Sequence, residues 1–166
     1  MIGSLHTMSY LKPCNVFLKF FARFKRTQTV NIKEQYEKYN IRVFDFHIYF
    51  VGINGKAIFK YSGIKYEISS MYKIFNYLEY VGNSYVRIVL EDNGEKITEN
   101  DRLLLEKRFI DYCKIIETIY PRIKFFGGYR EYDSNMLYRF KNDAPNDLIF
   151  YKRVDKLNKF AGGGVV

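Results

Sequence analysis

Tryptophan is absent from the chain, and cysteine, histidine and proline are scarce: two Cys, two His and three Pro among 166 residues. Cys14 and Cys113 stand far apart and offer no metal-ligand spacing, so they read as buried or idle thiols in a reducing compartment. No run of about eighteen apolar residues occurs, so no transmembrane segment is expected. The opening MIGSLHTMSY lacks a basic stretch followed by an apolar one, which argues against a secretory signal and for a cytoplasmic location. No repeat of 20–50 residues is visible. The one low-complexity stretch, GGGVV, has no helix after it. It is therefore no phosphate loop, and 161–166 reads as a flexible tail. Acidic residues are the minority: 18 Asp and Glu against 27 Lys and Arg, a net charge of +9. That balance favours an anionic partner, whether phosphate ester, nucleic acid or acidic lipid surface.

A hydrophobic content of 48% suits a globular chain with a core, and the length suits a single domain over 1–166. Asn31 with Glu34 three residues on predicts a capping box and a helix that stops at Asn40. A strand over 41–51 follows, then an Asn54-Gly55 turn and a strand over 56–61. Met71, Ile74, Phe75, Leu78 and Val81 recur at helical spacing and predict a helix over 70–81, closed by Gly82-Asn83. A strand over 85–91 comes next. A second cap, Thr98 with Asp101, opens a long helix that Pro121 ends. RIKFFGG (122–128) reads as a strand entering a Gly-Gly turn, and 147–153 as a last strand. The first 30 residues read as irregular. Helices between short apolar strands argue for a parallel α/β sheet of about six strands.

Alternation along IRVFDFHIYF puts Phe44, Phe46, Ile48 and Phe50 on one face. Asp45 and His47 share the other, about 7 Å apart at 3.3 Å per residue. In the strand 85–91, Arg87, Val89 and Glu91 likewise share a face. Ligands of parallel α/β folds bind at the C-terminal ends of strands, where two strands here place polar groups. Each group also has a purely structural reading. Asp45 could accept loop amides, His47 could be a satisfied core histidine, and Glu91 could pair with a Lys or Arg.

Taken together, GSLH, then QYEKYNIRVFDFHIYF, GKAIFKYSG and YLEYVGNSYVRIVLEDN resemble the phosphatidylinositol-specific phospholipase C-like phosphodiesterases, a superfamily that includes the glycerophosphodiester phosphodiesterases. The resemblance covers roughly residues 2–93. It implies a (β/α) TIM-type barrel, incomplete or distorted here, since such barrels take about 200–250 residues. A fragment of a longer product, a chain that pairs its open edges with another, and a decayed relative are three accounts of the shortfall.

The resemblance also implies roles. His6 falls on the family's first catalytic histidine, a proton acceptor suited by imidazole's pKa near 6.5. Asp45 falls on the acidic residue of the second strand. His47 falls where bacterial members carry Arg and metal-dependent members a calcium-binding Asp. Glu91 falls on a carboxylate that helps hold that metal. Lys60 or Tyr61 stands where the second histidine belongs, so the proton donor to the leaving oxygen is missing or replaced. Lys60, Tyr61 and Arg87 are candidate phosphate partners. No cofactor is called for; calcium would need more oxygen ligands than Asp45 and Glu91 supply.

The expected substrate is a phosphodiester, of a phospholipid or a glycerophosphodiester. The segment Phe17–Arg26 interleaves Phe with Lys and Arg, and would suit a peripheral contact with an anionic membrane surface. Its alternative is an ordinary connection with core Phe and solvated charges. Two further readings stand beside the enzyme: an inactive barrel that binds a phosphate-bearing ligand or protein partner, and a basic single-strand nucleic-acid binder. The last is disfavoured because no RNA or DNA motif is present. Open strand edges would invite self-association.

Overall fold

In a computed structural model, the structure describes residues 1–11, 13, 15, 17, 28–51, 56–61, 64–66, 71–91, 97–131, 133 and 135–157, without the side chain of Tyr61. The Asn54-Gly55 turn, Cys14, residues 18–27 and the tail from 158 onward lie outside them.

Among the described residues, seven strands and three α-helices follow one another in the order β1 (Ile2–Ser4), α1 (Ile32–Glu37), β2 (Val43–Phe50), β3 (Ala57–Tyr61), β4 (Ile64–Tyr66), α2 (Met71–Val81), β5 (Ser84–Leu90), α3 (Glu99–Ile119), β6 (Ile123–Arg130) and β7 (Ile149–Tyr151). Both helix starts follow the caps read from sequence. Asn31 accepts from the Glu34 amide and completes a capping box, and the Thr98 hydroxyl accepts from the Asp101 amide. Asn40 and the pair Gly82-Asn83 take the left-handed conformation at the chain reversals after α1 and α2.

The strands β7, β1, β2, β5 and β6 run side by side, every neighbour parallel. The sheet is not parallel throughout, as the helix-strand alternation suggested. β3 pairs antiparallel with the far end of β2, and β4 antiparallel with β3. The sheet curls into a half-barrel that is compatible with an incomplete barrel. Two further corrections concern its ends. The first 30 residues contain β1, too short to show a periodic pattern. The Gly127-Gly128 pair is no turn: β6 runs through it to Arg130.

All eight residues of β2 are buried, but on two different faces. Phe44, Phe46, Ile48 and Phe50 join one cluster with Phe75 and Leu78 of α2, Phe109 and Ile116 of α3, and Val86, Ile88 and Phe125 of the neighbouring strands. The Phe46 ring meets Phe59 and Phe75 at centroid distances of 5.2 and 5.4 Å. Full burial of one such ring removes enough apolar surface to contribute about 1.5–3 kcal/mol. Cys113 is buried in the same cluster, and burial pushes its thiol pKa up, as befits an idle thiol. No helix among the described residues is long and apolar enough to cross a membrane.

Candidate functional site

The opposite face of β2 carries Asp45 and His47, both buried. Their setting follows from the short length of β1. That strand pairs with Val43 and Phe44 and stops at Ser4, while β3 takes up the same edge of β2 from Ile48. Between them the edge of β2 must be satisfied by other means. Thr7 does so: its hydroxyl donates to the Ser4 carbonyl at 2.8 Å and accepts from the Asp45 amide at 2.9 Å. The intervening His6 is forced into the left-handed region, at φ 47°, where a non-glycine residue costs of order 1–3 kcal/mol. Its own amide donates to Asp45 Oδ2 at 2.9 Å, which helps hold it there.

Asp45 is the hub. Its Oδ1 accepts from Arg87 Nε at 2.7 Å, since Arg87 is its register partner on β5. Its Oδ2 lies 3.5 Å from His6 Nδ1 and 3.3 Å from His47 Nε2. Burial opposes its ionisation, but His47 and Arg87 outweigh burial and hold the carboxyl below its usual range. The His6 and His47 rings are 4.8 Å apart between centroids.

His47 looks the other way to two glutamates. Its Nδ1 is 2.8 Å from Glu91 Oε2 and 3.5 Å from Glu131 Oε1. Burial alone would depress its pKa, yet the three carboxylates push it up to about 12, so the ring is an imidazolium at neutral pH. His6 is shifted in the opposite sense, down to about 4. Burial dominates there, and the attraction of Asp45 is offset in part by cationic His47. The two glutamates also split. Burial and the nearby Glu131 push Glu91 up to about 7, while hydrogen bonds from His47 and Glu91 hold Glu131 down at about 2 despite its burial. The pair therefore holds one proton near neutrality.

Five of the sequence-predicted residues, His6, Asp45, His47, Arg87 and Glu91, thus meet in one cluster. Lys60 lines the same recess as His6, Asp45 and His47, with its ammonium 4.5 Å from the centre of the Tyr49 ring. Tyr61 ends β3, and its side chain is outside the described part. Glu131 was missed, and the reason is the glycine pair. Gly127 and Gly128 both have positive φ and form a bulge that shifts the register between β5 and β6. Before the bulge Phe126 pairs with inward-facing Arg87; after it Tyr129 pairs with inward-facing Val89. The extra residue turns Tyr129 and Glu131 inward, where plain alternation would have put Arg130.

Two triads have ligand atoms within 4.8 Å of one another: His6 with Asp45 and His47, and His47 with Glu91 and Glu131. Neither fits calcium, which takes six to eight oxygen ligands. His47 belongs to both, its Nδ1 is committed to Glu91, and Asp45 is occupied by Arg87 and the His6 amide.

A cavity of about 220 Å³ opens over this cluster, lined by His6, His47, Arg87, Val89, Tyr129 and Glu131. Its walls offer a neutral imidazole, two resident cations and the Glu131 carboxylate, which shares one proton with Glu91, a set suited to binding an anion and moving a proton. No family model, curated protein or solved structure matches this chain.

Proposed function

We propose that this cluster cleaves a phosphodiester, in an incomplete (β/α) barrel of the phospholipase C-like kind. The observation that carries the reading is the clustering of His6, Asp45, His47, Arg87 and Glu91, brought together by the neighbouring strands β1, β2 and β5, with His6, His47 and Arg87 lining one 220 Å³ cavity. The substrate phosphate is held beside Arg87 and His47. His6, neutral at pH 7, accepts the proton of the attacking hydroxyl, either water or a neighbouring hydroxyl of the substrate. The new oxygen–phosphorus bond forms as the bond to the leaving alcohol breaks, and the leaving oxygen takes the proton held by the Glu91–Glu131 pair. Groups with pKa values driven apart are the usual mark of such acid and base roles. Asp45 is a positioning residue that orients His6 and Arg87.

A second reading, an inactive binder of phosphate-bearing ligands, is favoured by Lys60 or Tyr61 in β3, standing where the family that the sequence resembles carries a histidine. Contact of the Phe17–Arg26 segment with an anionic membrane belongs to either reading, and so does self-association through the outer edges of β6 and β7. Of that segment only Phe17 is described, and it is fully outside the core at 90% exposure.

One assay separates the two readings. The purified chain is incubated with phosphatidylinositol vesicles and with glycerophosphodiesters, with calcium or with a chelator, beside His6→Ala. Turnover indifferent to calcium and reduced about 10²–10⁴-fold by the substitution is expected. Its rate should rise as pH climbs through about 4, where His6 loses its proton, and fall through about 7, where the glutamate pair loses its own. No turnover, or turnover that survives His6→Ala, sinks the catalytic reading.

A further inference from the structure

The curled sheet does not close between β6 and β7. The stretch that joins them crosses the gap, pinned where the Leu137 and Tyr138 amides both donate to the Gly128 carbonyl at 2.9 Å. Its described residues 135–148 form no strand. A cavity of about 650 Å³ remains between it and the inner face of the sheet. That is the size of a pocket that encloses a small ligand.

Its chemistry differs from that of the charged cavity beside it. The inner wall is made by Phe126 of β6, Phe150 of β7, Phe140 and Leu148. Phe126 and Phe140 are buried. The polar members of the connecting stretch that line it are Arg139, Asn142 and Asp143, of which Arg139 and Asp143 are exposed and Asn142 is half-buried. At one end stand Arg87 and Tyr129, which also line the 220 Å³ cavity, so the two spaces share a wall. Arg87 spans the junction. Its Nε is held by Asp45, and its guanidinium lies 4.3 Å from the centre of the Phe150 ring.

From this juxtaposition we infer that the larger cavity receives a single unbranched alkyl chain attached to the phosphate, so that the ligands of this protein are single-chain alkyl phosphates and phosphodiesters of the lysophospholipid kind. The inference rests on the proposed phosphate position beside Arg87. The wall shared at Arg87 and Tyr129 fixes where the chain begins, and the Arg87 charge fixes which end of the ligand is anionic. A nucleoside or sugar would need directed hydrogen-bonding groups on the inner wall, and that wall is apolar. The Phe150 face is moreover taken by Arg87, which leaves it unavailable for stacking a base.

Calorimetric titration of the full chain with octyl phosphate, below its micellar concentration, tests this beside phenyl phosphate and inorganic phosphate. Each methylene buried contributes about fourfold, so octyl phosphate is expected to bind at least about 100-fold more tightly than inorganic phosphate and well above phenyl phosphate. Ala144→Trp and Met136→Trp place bulk in the mouth of the cavity at exposed positions that the core does not use. Both are expected to erase the octyl advantage and leave inorganic phosphate binding unchanged. Equal affinities for octyl and inorganic phosphate overturn the inference. So does an advantage that survives both substitutions, or one that phenyl phosphate shares in full. Because binding needs no turnover, a chain that shows the octyl preference yet cleaves nothing fails only the catalytic reading.

Discussion

The two faces of β2 are equally buried and do opposite work. One face, Phe44 to Phe50, is aromatic and aliphatic and packs under the helices. The other, two residues long in its polar part, holds a carboxylate and an imidazolium out of water by matching each with a partner. The first face gains its free energy from removing apolar surface. The second does not, because a buried ion pair roughly offsets its own desolvation. What the second face gains is fixed geometry and fixed charge: a hub carboxylate that orients His6 and Arg87, and a cation at His47. A strand whose burial is uniform can therefore carry a core on one side and a site on the other.

The comparison is broken most severely at Asp45. Asp45→Ala leaves Arg87 and the His47 imidazolium facing each other without their shared carboxylate. A loss of about 3–5 kcal/mol in urea unfolding is expected, together with loss of the proposed phosphodiester turnover. One residue earlier or later, the effect should change in kind. Phe46→Ala leaves a cavity beside Phe59 and Phe75 and is expected to cost about 3–5 kcal/mol, while the protein that remains folded keeps its turnover per molecule. If Phe46→Ala and Asp45→Ala impaired turnover alike, the division between faces would be wrong.

A smaller change sharpens the same contrast on β6. At Gly127 an added Cβ would come 2.5 Å from the Ile88 carbonyl, at a φ of +94° that side chains rarely adopt. Gly127→Val is expected to cost about 1–3 kcal/mol and to lower turnover beyond what the stability loss explains, because the bulge aims Glu131. A crystal structure of this variant would show Glu131 displaced from His47.

The smallest effect is on pH dependence. The pKa of His47 is raised from 6.5 to about 12, so its contribution to stability is complete below pH 6.5 and is lost as pH rises toward 12. Asp45 has the opposite sign: its contribution is present above about pH 4 and is lost as pH falls below that. Between pH 7.5 and 9, stability should fall with a slope of up to about 1.4 kcal/mol per pH unit. His47→Gln should abolish that slope. An unchanged slope in the variant would place the cation elsewhere.

Much of this was legible in the sequence where one residue and its near neighbours decide the structure. The Asn31 and Thr98 caps, the left-handed Asn40 and the two faces of β2 all depend on contacts within a few residues. The convergence of His6, Asp45 and Glu91 depends on which strands lie side by side, and no pattern within one stretch of the chain carries that. Glu131 was not legible at all. A Gly-Gly pair after a strand usually marks a turn, and only pairing with β5 keeps the chain extended and converts the pair into a bulge. The strand over 56–61 was legible as β3, but β4 and the antiparallel pairing of β3 on β2 were not, since β1 is too short to occupy the whole edge of β2 and leaves its far end to β3.

With only two histidines in the chain, one measurement tests the charge arrangement at the centre of the site. Nitrogen-15 NMR of the imidazole rings at pH 7.5, assigned with His6→Gln, reports the protonation of each directly. The expected result is one ring protonated on both nitrogens, His47, and one neutral ring, His6. Two neutral rings at that pH would contradict it, because the carboxylates of Asp45, Glu91 and Glu131 would then lack their resident cation.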